Sequence, residues 1–493
     1  MYVLTQITVG LIELLAYQRD IWRIRKFYIP LVAFLNIIAW VGFYFQDYSL
    51  AVSVLFTFIC AFRSLNYARI VVGRTNPERL VGAGFRTSII LLALALAVTA
   101  VGYIGIDVSN SFNIFILQLI QLVFALILSS FTFINIRKIS KVLKSNTYTD
   151  SELPTVSICV PARNETEQLE VCINSLLAST YPKLEIIVLD DCSDDGTPEI
   201  IKNFAQKGVR FIRGQEPDGT WLPKNKAYQQ LLESATGKYV LFCGVDTRFA
   251  PQTIVKLVST GLTNGLEMIS VLPRRLTNNS LSSLIQPMRY WWELALPRSI
   301  INSPPVLSTC WLVNRHELIQ IGGFKSVKSS VLPERHIAKR FNMEQTYTFI
   351  KASDLIDVQT VKPLSDQRQT ALRVRYPQVR RRPELILALF VYEISMMLLP
   401  YILLIHGLVR FSTAIMILSL ATILVNTVTH VAIVYISNPS NVPIALINYP
   451  VVIFCEIIIG VTSMIRYEFT SVTWKERNIC LPVMKAIPRL PKI

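Results

Sequence analysis

The sequence predicts an α/β domain with a mostly parallel sheet, inserted between N-terminal and C-terminal groups of membrane helices. Three observations predict it. The 493 residues are 52% hydrophobic and only 17% charged, with mean hydropathy +0.43, too apolar for a chain wholly in water. The long uncharged runs fall into two groups, one towards each end. Between them, short apolar runs alternate with helix-length stretches, the pattern of right-handed βαβ units.

The first group comprises Phe27–Phe45, Tyr48–Phe62, Thr87–Ile106 and Phe112–Ile136, and the second Leu385–Ile405, Phe411–Ile436 and Val442–Ile465. A bilayer core ~30 Å thick needs about 20 helical residues, so most of these reach across. Tyr48–Phe62 is short unless it continues past Arg63, and Leu385–Ile405 contains Glu393. The expected plan is a membrane region over 1–144 with about four spans, a soluble domain over 153–383, a second membrane region over 384–466, and a basic tail over 467–493.

Basic loops set the orientation. Arg19, Arg23, Arg25 and Lys26 precede the first run, five arginines (Arg63, Arg69, Arg74, Arg79, Arg86) lie between the second and third, and Arg137, Lys138, Lys141 and Lys144 follow the fourth. The loops near Asp47 and Asp107 carry no Lys or Arg. The positive-inside rule then predicts a multi-pass protein of the plasma or inner membrane with its central domain in the cytoplasm. Three C-terminal spans would strand the basic tail on the other side. Either Arg380–Ile405 is partly an interfacial helix or the count is off by one.

Lys and Arg number 49 against 33 Asp and Glu, a net charge of +16. Such an excess suits nucleic acid, or an anionic membrane and phosphate-bearing substrates. The cations cluster beside apolar runs, which favours the second, so membrane lipids are expected partners and nucleic acid is not. The eight cysteines show no Cys-x-x-Cys, which argues against zinc or disulfides and for a reducing compartment. The opening MYVLTQITVGLIELLAY carries Glu13 and no basic lead-in, so a cleaved signal peptide is not expected.

Within the domain, strands are expected at Val156–Pro161, Leu184–Leu189, Val209–Arg213, Tyr239–Cys243 and Met268–Leu272. Helices are expected at Gln168–Leu177, Thr197–Ala205, Lys224–Leu232 and Gln252–Leu262. Ligands of such sheets sit outside the carboxyl ends of the strands. There the sequence places PARNE (Pro161–Glu165), LDDCSDDGT (Leu189–Thr197) and, closing YVLFCGVDTRFAP, Asp246. Asp194, Asp195 and Gly196 read as a turn before a helix. Asp191, just past its strand, reads as a ligand over the sheet edge. Gln286–Pro297 (QPMRYWWELALP) reads as an interfacial helix seating the domain on the membrane. The four histidines are isolated, without ligand spacing.

In this order and spacing, SICVPARNE, LLASTYP, EIIVLDDCSDDGT, WLPK, YVLFCGVDTRFAP and IGGF resemble the family 2 glycosyltransferases of GT-A fold. The likeness spans roughly Thr155 to Arg382 and is greatest to cellulose-synthase-like and lipid glycosyltransferases. WKER in the tail (Trp474–Arg477) is similar to a Trp-Lys-Gly-Arg element found after the last spans of some of them. The resemblance implies that Pro161, Ala162 and Glu165 border the nucleotide pocket. It implies that Asp190 and Asp191 hold the base or ribose of a nucleotide-sugar, and that Asp246 holds a Mg2+ or Mn2+ ion on the diphosphate. Lys224, after Trp221 and Pro223, takes the place of a lysine that offsets diphosphate charge; the other reading is a solvated lysine at a helix start.

An inverting transfer displaces a nucleoside diphosphate in line at the anomeric carbon, so charge must be stabilised and the acceptor positioned. A hydroxyl acceptor also needs a base. By resemblance that base is Glu334 in VLPERHIAKRF, where Pro333 replaces an acidic neighbour; otherwise Glu334 is a surface residue of a helix start. LRVRY matches the Gln-x-x-Arg-Trp of processive synthases only at Arg375 and Tyr376, with Leu372 replacing Gln. Arg375 would pair with diphosphate or lie on headgroups, and Tyr376 and Trp221 would face the acceptor. The expected activity is transfer from a nucleotide-sugar to a lipid or glycan acceptor at the membrane. A polyprenyl phosphate would relax the need for a base. The alternatives are a processive polysaccharide synthase and, given Gly244, Pro333 and Leu372, a non-catalytic relative.

Overall fold

The computed structural model describes residues 25–44, 56–64, 111–276, 280–296, 303–379, 381–469, 472–475 and 477–479, with single positions between 53 and 98. Most of the expected spans Tyr48–Phe62 and Thr87–Ile106 lie outside the described residues, as does the tail beyond 479.

The domain is a seven-stranded sheet in the order β3-β2-β1-β4-β8-β6-β9. Its strands are β1 (Val156–Ala162), β2 (Leu184–Asp190), β3 (Val209–Arg213), β4 (Tyr239–Cys243), β6 (Met268–Leu272), β8 (Cys310–Asn314) and β9 (Tyr347–Lys351). The five expected strands are all present, three of them with the expected bounds. β8 was not foreseen: it pairs antiparallel to both β4 and β6, while the other pairs are parallel.

Both sheet faces are covered, which is why the strands read as continuous apolar runs. Ile158, Val160, Ile186, Val188 and Leu241 enter one core. Their sequence neighbours Cys159, Ile187, Leu189, Val240 and Phe242 enter the other, as the two-residue side-chain period requires. The helices of the first half are α3 (Leu169–Leu177), α4 (Thr197–Asn203), α5 (Pro223–Ser234) and α6 (Thr253–Asn264). A second sheet, β5-β10-β7, joins β5 (Thr247–Phe249) and β7 (Arg274–Arg275) to β10 (Val358–Thr360).

Helices α1 (Arg25–Tyr44) and α2 (Ser111–Ser140) precede this domain, with further helical residues at 56–64. The domain continues through α7 (Gln286–Leu294), α8 (Arg315–Gln320), α9 (Pro333–Met343) and α10 (Leu364–Gln378). After it come α11 (Pro383–Tyr392), a π-helical stretch Glu393–Leu398, α12 (Leu399–Val409), α13 (Thr413–Ser437) and α14 (Val442–Phe469). Among the described residues, four segments are long and apolar enough to cross a membrane: Ile114–Ser140, Leu385–Val409, Thr413–Ser437 and Pro439–Glu468.

α2 and α13 run side by side with polar ties at two levels. Gln118 donates to the Ile415 carbonyl at 3.0 Å, and Thr429 donates to Ser129 at 2.9 Å. Hydrogen bonds of this kind hold helices together where lipid removes the hydrophobic drive. α7 packs against the last helices: Tyr290 and Trp291 share a core with Ile433 of α13 and Val452 of α14.

α13 ends beside the domain, with Ile433 packed among Leu272 and Phe349. The last turns of α14 are tied to α10, with Ser463 donating to the Leu372 carbonyl at 2.6 Å and Tyr467 to the Arg373 carbonyl at 2.7 Å.

Candidate functional site

The carboxyl ends of β1, β2 and β4 border a cavity open to solvent. β1 delivers Pro161, Ala162 and Glu165 to its wall, β2 delivers Asp191, and the turn after β4 delivers Gly244 and Asp246. Lys224, in the first turn of α5, completes the set. The structure thus gathers six of the residues singled out from sequence. Pro223, standing where the resemblance expects glycine, is the first residue of α5, a position whose N–H has no partner in any helix.

Two tight turns aim the β1 and β2 ends. Asn164 (φ 49°) and Cys192 (φ 54°) are left-handed. The Asn164 N–H donates to Ser193 at 3.0 Å, and the Asp194 N–H donates to the Asn164 side chain at 3.1 Å. Asp195 accepts from the Thr197 N–H at 3.0 Å, the turn role read from sequence. Asp190, assigned to the donor, does a similar job. It is 4% exposed, accepts from the Ser193 N–H at 3.2 Å and does not line the cavity, because the last residue of a buried strand points into the protein.

Asp246 accounts for Gly244. A Cβ added at Gly244 would lie 2.5 Å from Asp246 Oδ1, so the aspartate carboxylate fills the space above the glycine. Its other oxygen accepts from Thr360 at 3.3 Å and lies 3.8 Å from Lys362 Nζ. Among the described residues no three metal-ligating side chains cluster. A magnesium-like ion needs no more than one or two carboxylates when phosphate oxygens and water complete its shell. Asp246, a cavity-facing carboxylate beside room for a diphosphate, fits that donor set.

The cavity is lined by six cations, Arg163, Lys224, Arg275, Lys362, Arg373 and Lys475, against four carboxylates, Glu165, Asp191, Asp246 and Asp366. The excess favours a polyanionic ligand. Sequence reading missed most of these cations. Arg275 ends β7, and Lys362 follows β10, two strands of the small sheet that short runs gave no sign of. Lys475 and Arg477 come from the tail, where WKER was the signal. Arg477 pairs with Asp191 at 2.7 Å and with Glu216. Lys475 lies 3.2 Å from Glu165 and donates to the Asn164 carbonyl at 2.7 Å. The tail thus closes one side of the cavity.

Burial pushes the Asp191 carboxyl up to about 6 even with Arg477 alongside, and the pair raises Arg477 in turn. At neutral pH the two form an ion pair. Burial also raises Glu165, with Lys475 opposing it.

Glu334 is in the first turn of α9, after Pro333 as its first residue. It is 2% exposed, not a surface residue, and Lys224 donates to it at 2.5 Å. It lines a second, much smaller cavity with Glu293, Ser308, Arg335 and Gln378. Ser308 borders both cavities, so the Lys224–Glu334 pair stands in the partition between them.

Three expected site residues lie elsewhere. Trp221 is 9% exposed in the core beneath α5, with Lys226 5.6 Å over its ring. Arg375 points away from the cavity. It pairs with Glu456 and Glu393 at 3.8 Å, with its guanidinium 4.6 Å over Trp292. Tyr376 is fully buried and donates to Glu468 at 2.7 Å. α14, absent from any short-range motif, captures both; Arg373, one helical step away, faces the donor cavity instead.

Residues 157–316 match the family model Glycosyl transferase family 2. Glycosyltransferase AglE of Haloferax volcanii is 31% identical over 123 residues, 24% of this chain and 39% of AglE. The Escherichia coli UDP-Glc:alpha-D-GlcNAc-diphosphoundecaprenol beta-1,3-glucosyltransferase WfgD is 25% identical over 160 residues, 32% of this chain and 62% of WfgD. Each match thus spans less than two thirds of the relative's own length. The mannosyltransferase PcManGT of Pyrobaculum calidifontis, solved with GDP-Man and Mn2+, covers 72% of this chain and 98% of its own, at 16% identity and TM-score 0.45.

Proposed function

We propose that this protein transfers a sugar from a nucleotide-sugar to a lipid acceptor presented at the membrane, on the cytoplasmic face. The observation that carries it is the partition between two cavities. A cation-rich cavity at the strand ends meets a second one at a buried Lys224–Glu334 pair, next to helices that pack on the membrane bundle. The family 2 match supports the reaction class, and the printed name of WfgD, with its diphosphoundecaprenol acceptor, supports a lipid acceptor.

In this reading Asp191 accepts hydrogen bonds from the base or ribose, and Pro161, Ala162 and Glu165 wall the nucleotide. Lys362, Arg275 and Lys224 face the diphosphate and offset the charge it gains on leaving. Asp246 would hold a Mg2+ or Mn2+ ion against the diphosphate oxygens; when bound, that ion supplies further charge neutralisation. Glu334 faces the acceptor side as base and Lys224 compensates its buried charge, which fits an inverting displacement. Arg375 and Tyr376 tie the domain to α14 and take no part in the chemistry. The processive reading loses support here, because it needs that pair beside the acceptor.

The test is turnover of a nucleotide-sugar panel by the full chain in lipid vesicles, with Asp246→Ala as the variant. We expect transfer or slow donor hydrolysis from at least one nucleotide-sugar, and a loss of about 10²- to 10³-fold in the variant, the scale of removing one charge-stabilising group. Full activity in Asp246→Ala would remove the metal assignment. An absence of donor binding across the panel would remove the reading itself.

A further inference from the structure

Two segments singled out from the sequence, WLPK (Trp221–Lys224) and IGGF (Ile321–Phe324), meet along α5. One turn apart, this helix presents two buried carboxamides, Asn225 and Gln229, to the chain between Gly322 and Leu332. The Asn225 nitrogen donates to the carbonyls of Val327 at 3.0 Å, Lys328 at 3.1 Å and Ser330 at 2.8 Å. Gln229 accepts from the Phe324 N–H at 3.0 Å, and the Leu222 N–H donates to the Lys328 carbonyl at 2.9 Å. Gly323, with φ 52°, marks the closest approach. A Cβ there would lie 3.1 Å from Gln229 Oε1, so a side chain would push the segment off α5.

This grip decides where Glu334 stands. α9 opens with Pro333, which has no N–H, and its preceding residue Leu332 makes no side-chain cap. Nothing in the first turn of α9 therefore fixes how the chain enters it. The Leu332 N–H donates instead to Ser330 Oγ at 3.2 Å, and the Ser330 carbonyl is held by Asn225. Lys224 and Asn225 are neighbours in the first turn of α5. One reaches Glu334 at 2.5 Å, and the other holds the segment that leads to it. Only a carboxamide of this length suits the place: it brings two hydrogens and no charge, whereas an aspartate would set a carboxylate against carbonyl oxygens.

We infer that Asn225, seconded by Gln229, is a positioning residue of the transfer. It holds α5 and the start of α9 in one register, so that Lys224 and Glu334 meet in the partition between the cavities. Asn225 lines neither cavity and acts only through that pair. The inference rests on the function proposed above, which uses the pair, and adds the residue that sets its geometry.

The experiment uses the full chain in phosphatidylcholine vesicles. It follows release of nucleoside diphosphate from UDP-glucose, UDP-N-acetylglucosamine and GDP-mannose, with water as acceptor. Asn225→Ala, Glu334→Gln and the double variant are compared with the wild type. Asn225→Ala is expected to lower kcat about 10- to 10²-fold, the scale of a misplacement near 1 Å, with donor KM within about twofold. In the Glu334→Gln background the same change should cost less than about twofold more, because residues that act through one another are not additive. A role in folding alone would lower the amount of active enzyme, and with it kcat, equally in both backgrounds.

A wild-type kcat in Asn225→Ala, a loss that multiplies that of Glu334→Gln, or a donor KM that rises in step overturns the inference and leaves the donor reading intact. Release from none of the three donors, or full kcat in Glu334→Gln, removes the Glu334 assignment and the inference together. If Asn225→Ala fails to fold, Gln229→Ala, which keeps the bonds of Asn225 and frees the Phe324 N–H, decides by the same cycle.

Discussion

The carboxyl edge of the sheet and the underside of the domain hold the same kinds of side chain to different effect. At the edge, Asp191 meets Arg477 on the wall of a large cavity, 7% and 10% exposed at the two side chains. At the underside, Arg375 meets Glu393 and Glu456 and lines neither cavity, and Glu393 is fully buried. A pair on a cavity wall can exchange partners with a ligand. A pair sealed between two helices can only hold them, since removing one member leaves the other charged and dry. Surroundings, more than residue type, decide which arginine binds and which one fastens.

Arg375→Ala is the strongest way to break that comparison. With two carboxylates left uncompensated, the folding equilibrium should lose about 3–5 kcal/mol, read as a large fall in the midpoint of thermal unfolding in detergent. Arg477→Ala should leave that midpoint within experimental error and change donor KM. If Arg375→Ala instead keeps its thermal stability and loses donor affinity, the guanidinium belongs to the diphosphate after all.

The same contrast explains what the sequence made legible. Strand ends are short-range features: VSICVPA and LEIIVLD are apolar on both faces, so their bounds and the residues just past them can be read directly. Pro161, Glu165, Asp191 and Asp246 were read that way, and all four line the cavity. Asp190, read with them, lies outside its lining, because in a strand the next position faces the opposite way. Trp221, Arg375 and Tyr376 lie outside it for another reason. Each lies in a segment whose direction is set by contacts far along the chain, the α5 core for Trp221 and α14 for the other two. Lys475 is 311 residues from the β1 turn it covers and Arg477 286 residues from Asp191, and only the WKER motif hinted at them.

Gly244 gives a sharper probe of the edge. The glycine reads from sequence as a lost ligand, yet the structure uses its missing side chain to seat the Asp246 carboxylate. Gly244→Ala puts a methyl 2.5 Å from Oδ1, so the carboxylate must turn away. Nucleotide affinity in the presence of Mg2+ should fall about tenfold, the worth of one charged contact, while affinity in chelator stays level. Equal losses in both conditions would mean that the methyl disturbs the nucleotide directly.

The smallest effect tests the Asp191 wall by pH. Folding raises this carboxyl from 3.8 to about 6, so the native state holds the proton more tightly than the unfolded chain does. The contribution of Asp191 to stability therefore falls as pH rises between about 4 and 6 and is level above that. Donor affinity should run the other way. At pH 5 about nine tenths of Asp191 is protonated, and a neutral carboxyl is a poorer acceptor for a base or ribose. Calorimetric titration of the nucleotide from pH 7.5 to 5 should show a loss of roughly three- to tenfold centred near 6. Asp191→Asn should bind weakly and without that slope. A slope that survives the substitution would move the titrating group to Glu165, the other carboxyl that burial raises on this wall. Asp191 would then serve only as the anchor of the tail.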